Sequence, residues 1–586
     1  MKKIELSLNK KILLLLSTPQ KIKAAGLVSL MLVSSLMEIF SLGLLIVIMD
    51  FFLEFNTTNS NSPIYNFLNN FMIDKENPFI LALSLFIVIF LLKIILLVYL
   101  SWVESGFVAR LKERLSNMLF NNFLNRNAHQ ILKKNSATYL RNFTVEIQLA
   151  MAFYYVVLKL ILEIILVLTL FVFLVYFDFL SAVSSFIVLT TLSLLYFFLV
   201  KNFISDWGKK RLSAQKKKVQ FVNEGFSAIK YIKILSREKY FFKKFKIQNF
   251  KLSNITFKMG FVNTLPRFVL ESFLFISILG ILLVLFKNNY SYPEIVKIVS
   301  IYIVVSFRLI PSANRILNSI QSLKYCYPAF ITIFNETQIK PSIIKSINNQ
   351  KIFFKKEILI NINKFNYSKN SKFFLKNINI KLNRKSKIGI IGASGSGKST
   401  IIDIICGFTK INNGNIFVDK KSIYTNLNSW QKLIGYIPQK IVILNDSLKN
   451  NILFGLDKKK YHDKKLTDIL KKVELMNFCK KLPNGFNEII SQEGLNISGG
   501  EIQRIGIARA LINNPEIIFL DEATSALDTF TENKILKVIY SLKKTIIFVS
   551  HRVNSLKYCD RIYHIDSGKI KDHGNFSKFI NKHVVK

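Results

Sequence analysis

The chain has 586 residues, 51% of them hydrophobic, and its 81 Lys and Arg against 36 Asp and Glu give a net charge of +45. With a mean hydropathy of +0.32, that combination does not fit one soluble globule. It fits a membrane region joined to a basic soluble region, and it excludes a disordered, collagenous or disulfide-rich secreted chain.

The excess charge is read as Lys on solvated faces and loops of a chain rich in Lys, Asn, Ile and Phe, so no nucleic-acid partner is expected. Lys2 and Lys3 open a short amphipathic stretch, and the apolar run 12–16 is too brief for a signal peptide. Six longer apolar runs follow, at 24–53, 79–102, 149–176, 179–200, 261–286 and 295–317. Each is long enough for a helix that crosses a bilayer, which takes roughly twenty residues. The loop 201–257 carries fifteen Lys and Arg against three acids, whereas 54–78 carries Lys75 against Glu54, Asp74 and Glu76. Positive residues stay inside, which puts both termini and the second half of the chain in the cytoplasm, with a tight outer turn near Asp178 and a further outer loop at 288–293. The polar, amphipathic segments 103–127 and 214–250 read as helical extensions. The short stretches 129–139 and 223–233 are expected to turn the chain and rest on the soluble half. Polar residues 337–351, including Pro341, form a linker between a membrane region at 1–336 and a soluble region at 352–586. Cys326, Cys406, Cys479 and Cys559 have no ligand-like spacing and read as reduced thiols.

Ionisable residues inside apolar runs are costly and therefore informative. Lys93 lies mid-way along the second run. Lys159 and Glu163 stand one turn apart in the third, a spacing that lets them pair. Arg267 and Glu271 do the same in the fifth, and Arg308 and Arg315 share a face of the sixth. Structural salt bridges and a basic cavity for an anionic headgroup both account for such cations.

In the soluble half, residues 388–400 run from an apolar strand through Gly392, Ala393, Ser394, Gly395, Ser396, Gly397, Lys398 and Ser399 into a helix from Thr400. This fits GxxxxGK[ST]: backbone N–H groups wrap phosphates, Lys398 reaches the β/γ-phosphates and Ser399 ligates Mg²⁺. Ser498 and Glu501 form an S-x-x-E capping box around Gly499 and Gly500. The adjacent glycines also suit close approach to an anion at a helix start. The apolar run 517–520 ends in Asp521 and Glu522, whose side chains point opposite ways on a strand. Asp521 is assigned to Mg²⁺ and Glu522 to the general base, or to water positioning, in γ-phosphate hydrolysis.

Together these motifs resemble an ATP-binding cassette, with Ser498–Glu501 similar to its signature. That resemblance implies ATP and Mg²⁺ as cofactors and two cassettes meeting head to tail, hence a homodimer of this chain. Over 354–574 the remaining family positions fall singly on Gln439 (Q-loop, near Mg²⁺), His551 (switch histidine on the γ-phosphate), Asp528 (D-loop) and Tyr367 (adenine stacking). Two departures stand out. Ile497 and Glu501 replace the commoner Leu and Gln, and Gln492 within 491–494 replaces a usual glutamate in the loop that couples cassette to membrane helices.

Six helices preceding one cassette resemble the exporter half-transporters. The implied fold is a membrane α-helical bundle of exporter type fused to a cytoplasmic α/β P-loop nucleotide-binding domain, located in a bacterial inner membrane. The Pro-Arg-x-x-x-Glu stretch at 266–271 and Phe-Arg-Leu-Ile-Pro-Ser at 307–312 are similar to those of bacterial lipid-linked oligosaccharide flippases of the PglK type. The resemblance implies pyrophosphate contacts at Lys93, Arg267 and Arg308, and a short lipid-touching helix in the first outer loop, at 64–73. Alternatives are export of another lipid or glycolipid of the lipid A type, a drug or a peptide, or a regulatory ATPase that transports nothing.

Overall fold

Among the described residues, six helices of 31 to 50 residues carry the first half of the chain. The computed structural model describes residues 7–53, 78–127, 131, 135–177, 179–287, 292–339, 350–367, 374–457, 461–491, 497–524 and 528–583. The helices are α1 (Thr18–Leu53), α2 (Pro78–Leu124), α3 (Ile147–Phe177), α4 (Phe179–Ser227), α5 (Glu238–Lys287) and α6 (Tyr292–Gln338). At 1.5 Å per residue a helix as long as α2 spans about 70 Å, more than twice a hydrocarbon core. The ends of α2, α4 and α5 are therefore the extensions expected at 103–127 and 214–250. The second of these is not one helix: α4 stops at Ser227, a short helix Ile229–Ile234 follows, and α5 starts at Glu238. Among the described residues, Thr18–Leu44, Leu83–Leu124 and Ser136–Val175 are long and apolar enough to cross a membrane. The other three expected spans fall within α4, α5 and α6. The turn at Asp178, residues 288–291, the helix expected at 64–73, most of the stretch 128–134 and residues 340–349 of the linker lie outside the described residues.

The chain divides into two compact units, residues 1–125 with 132–341 and residues 126–131 with 342–586. In the first, Leu111, Leu115, Phe153 and Phe330 are fully buried, and the Phe153 and Phe330 rings stack at 4.5 Å. A short N-terminal helix, Leu8–Leu15, is pinned to α3 where the Tyr154 hydroxyl donates to the Ile12 carbonyl at 2.9 Å.

Buried carboxylates in this unit are paired across helices. Glu38 of α1 meets Lys93 of α2 at 2.9 Å, Glu104 of α2 meets Lys159 of α3 at 3.3 Å, and Glu163 of α3 meets Arg315 of α6 at 2.5 Å. Glu146, fully buried in a π-helical turn (Asn142–Glu146) that leads into α3, lies 3.2 Å from Arg211 and 3.6 Å from Arg141. The expected pairing of Lys159 with Glu163 is therefore replaced by two interhelical pairs. A carboxylate turned between packed helices takes its counter-charge from the facing helix, because a partner one turn away on its own helix stays on the surface. Arg267 and Glu271, both more exposed, keep the one-turn pairing at 2.7 Å.

The second unit is built on two sheets. The four-stranded antiparallel sheet has the order β2 (Leu375–Asn383), β1 (Glu357–Phe365), β4 (Asn413–Val418), β5 (Lys421–Ser422). The six-stranded sheet has the order β12 (Lys569–Gly574), β11 (Arg561–Asp566), β3 (Lys387–Ile391), β10 (Thr545–Val549), β9 (Ile517–Asp521), β6 (Ile434–Ile437), parallel except for β12. Short β7 (Asp446–Ser447) and β8 (Ile489–Ile490) pair separately. Both faces of the central sheet are covered, which is why residues 517–520 of β9 and 546–549 of β10 are all apolar. Ile518 and Leu520 point into one core while Ile517 and Phe519 point into the other, the two-residue alternation of a strand. All four cysteines are buried and free, as their spacing suggested.

Asp419 fixes the entry to this unit. Its carboxylate accepts the backbone N–H groups of Lys355 (2.5 Å), Lys356 (2.8 Å) and Glu357 (2.8 Å), from a left-handed backbone at φ 45°. Partial burial pushes this carboxyl up, but the three amides outweigh it and hold it below the ordinary value. Its folded-state pKa is depressed, so its contribution to stability is present above the ordinary carboxylate pKa and is lost as pH falls through the folded value. Asp419→Ala is expected to destabilise the unit by about 1–3 kcal/mol at neutral pH in denaturant unfolding, with the gap to wild type closing in acid.

Candidate functional site

The C-terminal end of β3 delivers the chain into the glycine loop. A Cβ at Gly392 would meet the Ile565 carbonyl at 2.2 Å, so the loop leaves the strand by an approach that only glycine permits. Gly395 (φ 78°) and Gly397 (φ 110°) take left-handed backbone, and Gly397 caps α7 (Lys398–Ile405). The result is a concave run of backbone ahead of a helix N-terminus, with Ala393, Ser394 and Ser399 exposed. Lys398 is turned inward, donating to the Gly392 and Ala393 carbonyls at 2.9 Å each. Burial lowers its pKa, partly offset by the charges of Glu522 and Asp521.

Asp521 ends β9 beside this loop. Burial raises its pKa, the adjacent Glu522 raises it further, and Lys398 opposes both. Tyr436 of β6 bonds to the same carboxylate. Glu522 follows in left-handed backbone at φ 50°, an unusual conformation for a non-glycine residue and one that clusters at functional sites. Its N–H is held by the Val549 carbonyl at 3.0 Å. Gln439 Nε2 donates to Glu522 Oε2 at 2.7 Å, and His551 Nε2 bonds to Glu522 Oε1. Two segments distant in sequence thus converge on the carboxylate of a third.

Tyr367 also reaches the loop, its hydroxyl bonding to Thr400 Oγ1 at 3.1 Å. Ser498, Gly499, Gly500 and Glu501 instead form their own cluster at the start of α8 (Gly499–Leu511). The capping box there is complete: Glu501 N–H donates to Ser498 Oγ at 3.2 Å, and Ser498 N–H to Glu501 Oε2 at 2.8 Å. Asp528 caps α9 (Thr529–Ser541), accepting the Thr531 N–H at 2.9 Å. Residues 525–527 and Gln492 lie outside the described residues, as does the side chain of Arg308.

One buried residue was not signalled by the sequence. Glu532 of α9 accepts hydrogen bonds from Thr524 (2.8 Å) and Ser555 (2.9 Å) and lies 3.2 Å from Arg552. It ties the segment after Glu522 to the segment after His551, and nothing in a glutamate near a helix start announces that role.

The residues present fit a magnesium nucleotide. Ser396 Oγ is buried in the loop without a hydrogen-bond partner among the described residues, as a group aimed at an absent phosphate oxygen would be. Ser399, Asp521 and Gln439 offer hard oxygen donors of the kind Mg²⁺ takes alongside water and phosphate. Glu522→Gln is expected to keep ATP binding and to lower turnover by at least about 100-fold, the scale of losing a general base, in parallel nucleotide-binding and phosphate-release assays.

Two family models match the chain: ABC transporter transmembrane region over residues 25–309, and ABC transporter over residues 375–525. Among curated relatives, a putative export ATP-binding/permease protein of Rickettsia bellii is 31% identical over 413 residues, 67% of this chain and 69% of that protein. The multidrug resistance-like ATP-binding protein MdlA of Buchnera aphidicola is 38% identical over 253 residues, 41% of this chain and 43% of that protein. Among solved structures, a bacterial Atm1-family ABC exporter with ATP bound superposes with a TM-score of 0.77, covering 96% of each chain at 18% identity, a likeness of fold.

Proposed function

The chain belongs to the ABC transporters, as an exporter half-transporter whose cassette hydrolyses ATP, and on that premise we propose that its homodimer flips a polyprenyl-diphosphate-linked oligosaccharide across a bacterial inner membrane. In this reading residues 1–336 form the membrane region, 337–351 the linker and 352–586 the cassette, with both termini in the cytoplasm.

The geometry of the site supports the following nucleotide chemistry. Lys398 leaves the Gly392 and Ala393 carbonyls for the β- and γ-phosphates, and Ser396 and the loop amides take the remaining oxygens. Mg²⁺, held by Ser399, Asp521 and Gln439, would neutralise charge shared between those phosphates. Gln439 and His551 release Glu522 as they turn to metal and γ-phosphate, and the freed carboxylate accepts a proton from the attacking water. Ser498, Gly499 and Gly500 of a second copy close over the γ-phosphate, which couples hydrolysis to dimerisation. Tyr367 packs on adenine, and Asp528 orders the segment leading from the base into α9.

Arg267 is the observation that carries the substrate. Its side chain is 66% exposed on an otherwise apolar part of α5, directly after Pro266, with Glu271 fixing one edge of the guanidinium at 2.7 Å. A planar fork of donors held in that way suits a diphosphate, and a polyprenyl tail stays in the lipid. Arg308 of α6 is its proposed partner. Lys93 is the weakest member of the three, because its ion pair with Glu38 is buried whereas that of Arg267 with Glu271 is exposed. The same pairing supports a second reading. Lys93, Lys159 and Arg315 all sit on buried carboxylates, which leaves less positive charge than a diphosphate cavity asks for and suits a less acidic amphiphile, a glycolipid or a drug.

Purified protein in liposomes with Mg-ATP separates the two readings. ATP-dependent loss of surface accessibility of a polyprenyl-diphosphate oligosaccharide, absent in Glu522→Gln, supports flipping. Arg267→Ala with Arg308→Ala is expected to lower that flipping at least about tenfold, the scale of a charge-assisted hydrogen bond, while basal ATPase persists. Robust ATPase without movement favours the second reading.

A further inference from the structure

Proline 266 lies inside α5, and its ring nitrogen has no hydrogen to donate. In an α-helix the N–H of residue i bonds to the carbonyl of residue i−4, so Pro266 leaves the Val262 carbonyl without its helical partner. The structure supplies a replacement from another helix: the Tyr196 hydroxyl of α4 donates to Val262 O at 2.7 Å, in a buried contact. Tyr196 is 8% exposed and packs with Leu270 of α5 and Ala313 and Leu317 of α6, while Val262 packs with Ile204 of α4 and Met259 of α5. The bond therefore sits where three long helices meet. Gln321 of α6 flanks the same hydroxyl, is 2% exposed, and has no hydrogen-bond partner for either of its amide atoms among the described residues.

A second break is met by the same helix. Pro328 in α6 likewise frees the Lys324 carbonyl, and there α4 presents Gly208, where a Cβ would lie 3.0 Å from Tyr325 O, 3.4 Å from Pro328 Cγ and 3.6 Å from Lys324 O. A side chain there would fit only if α6 gave way by a few tenths of an ångström, so glycine lets α4 run that close without strain. One helix thus lies against two of the three proline breaks in α5 and α6, with a hydroxyl at Pro266 and bare backbone at Pro328.

We propose that Tyr196 is a positioning residue of the transport cycle: its hydroxyl replaces the hydrogen bond that Pro266 removes and so ties α5 to α4, making the two helices move as one when the cassettes close. Without this bond α5 is free to bend at residues 262–266 independently of α4, and closure at the nucleotide end no longer passes fully into the membrane helices. The inference rests on the exporter fold and on no particular cargo.

The test is a double-mutant cycle on the full-length protein in lipid nanodiscs, read as steady-state ATPase kinetics. Tyr196→Phe removes the hydroxyl and keeps the ring, and is expected to lower kcat about fivefold, the scale of one lost hydrogen bond, with KM for ATP unchanged. Pro266→Ala restores a backbone N–H that reaches Val262 by itself, so in that background Tyr196→Phe is expected to change kcat by less than about 1.5-fold. The same fivefold loss in both backgrounds overturns the proposal, because the hydroxyl then acts elsewhere than at the proline break. An unchanged kcat for Tyr196→Phe alone also overturns it. A raised KM for ATP overturns it too, as it reports damage to the cassette instead of lost coupling between α4 and α5.

Discussion

A charge placed in an apolar setting must find its counter-charge or lose its ionisation, and that constraint shapes both halves of this molecule. In the helical half Glu38, Glu104 and Glu163 are nearly inaccessible, and each is answered by a cation from a neighbouring helix. The chain of pairs runs from α1 to α2, from α2 to α3 and from α3 to α6, so the order in which these helices pack is written in charge as well as in shape. In the cassette, buried Lys398 gives its ammonium hydrogens to the Gly392 and Ala393 carbonyls, and the charges of Glu522 and Asp521 offset part of the effect of its burial.

The cassette was largely legible in its sequence because its chemistry is local. A glycine loop, a capping box and an apolar strand ending in two acids each declare themselves within a dozen residues. The convergence of Gln439, Glu522 and His551 follows once the strands that carry them lie parallel and adjacent. The six long helices were equally legible, since apolar length alone marks them. Three features were not. Lys159 bonds to Glu104, fifty-five residues earlier in the chain, and not to Glu163 one turn away, because helix neighbours are set by packing and periodicity says nothing of them. Glu532 carries no motif, and its role exists only when Thr524, Arg552 and Ser555 are folded around it. Tyr196 is one of 21 tyrosines, and only the geometry at Pro266 distinguishes it.

The two halves also differ in how their irregular backbone is used. In the cassette, left-handed residues such as Glu522 and Asp419 place a carboxylate where a regular strand or turn would not. In the membrane half, the consequences of the breaks at Pro266 and Pro328 fall on the neighbouring helix α4, which supplies a donor at the first and close backbone at the second. Strain that is settled within a loop in one half is settled between helices in the other.

The capping box at the start of α8 gives the signature a character of its own. The Ser498 hydroxyl donates to Glu501 Oε2 at 2.8 Å, so this hydroxyl already has an acceptor of the same charge sign and hardness as a terminal phosphate oxygen. In the proposed head-to-tail dimer, a nucleotide brought to this helix would have the hydroxyl trade one anionic oxygen for another, while the glutamate keeps the Ser498 backbone N–H. An exchange between like acceptors gains little energy in itself. In that dimer its worth would lie in selectivity: a diphosphate, one phosphate too short, would offer no oxygen to trade for, and the serine would stay with its own helix.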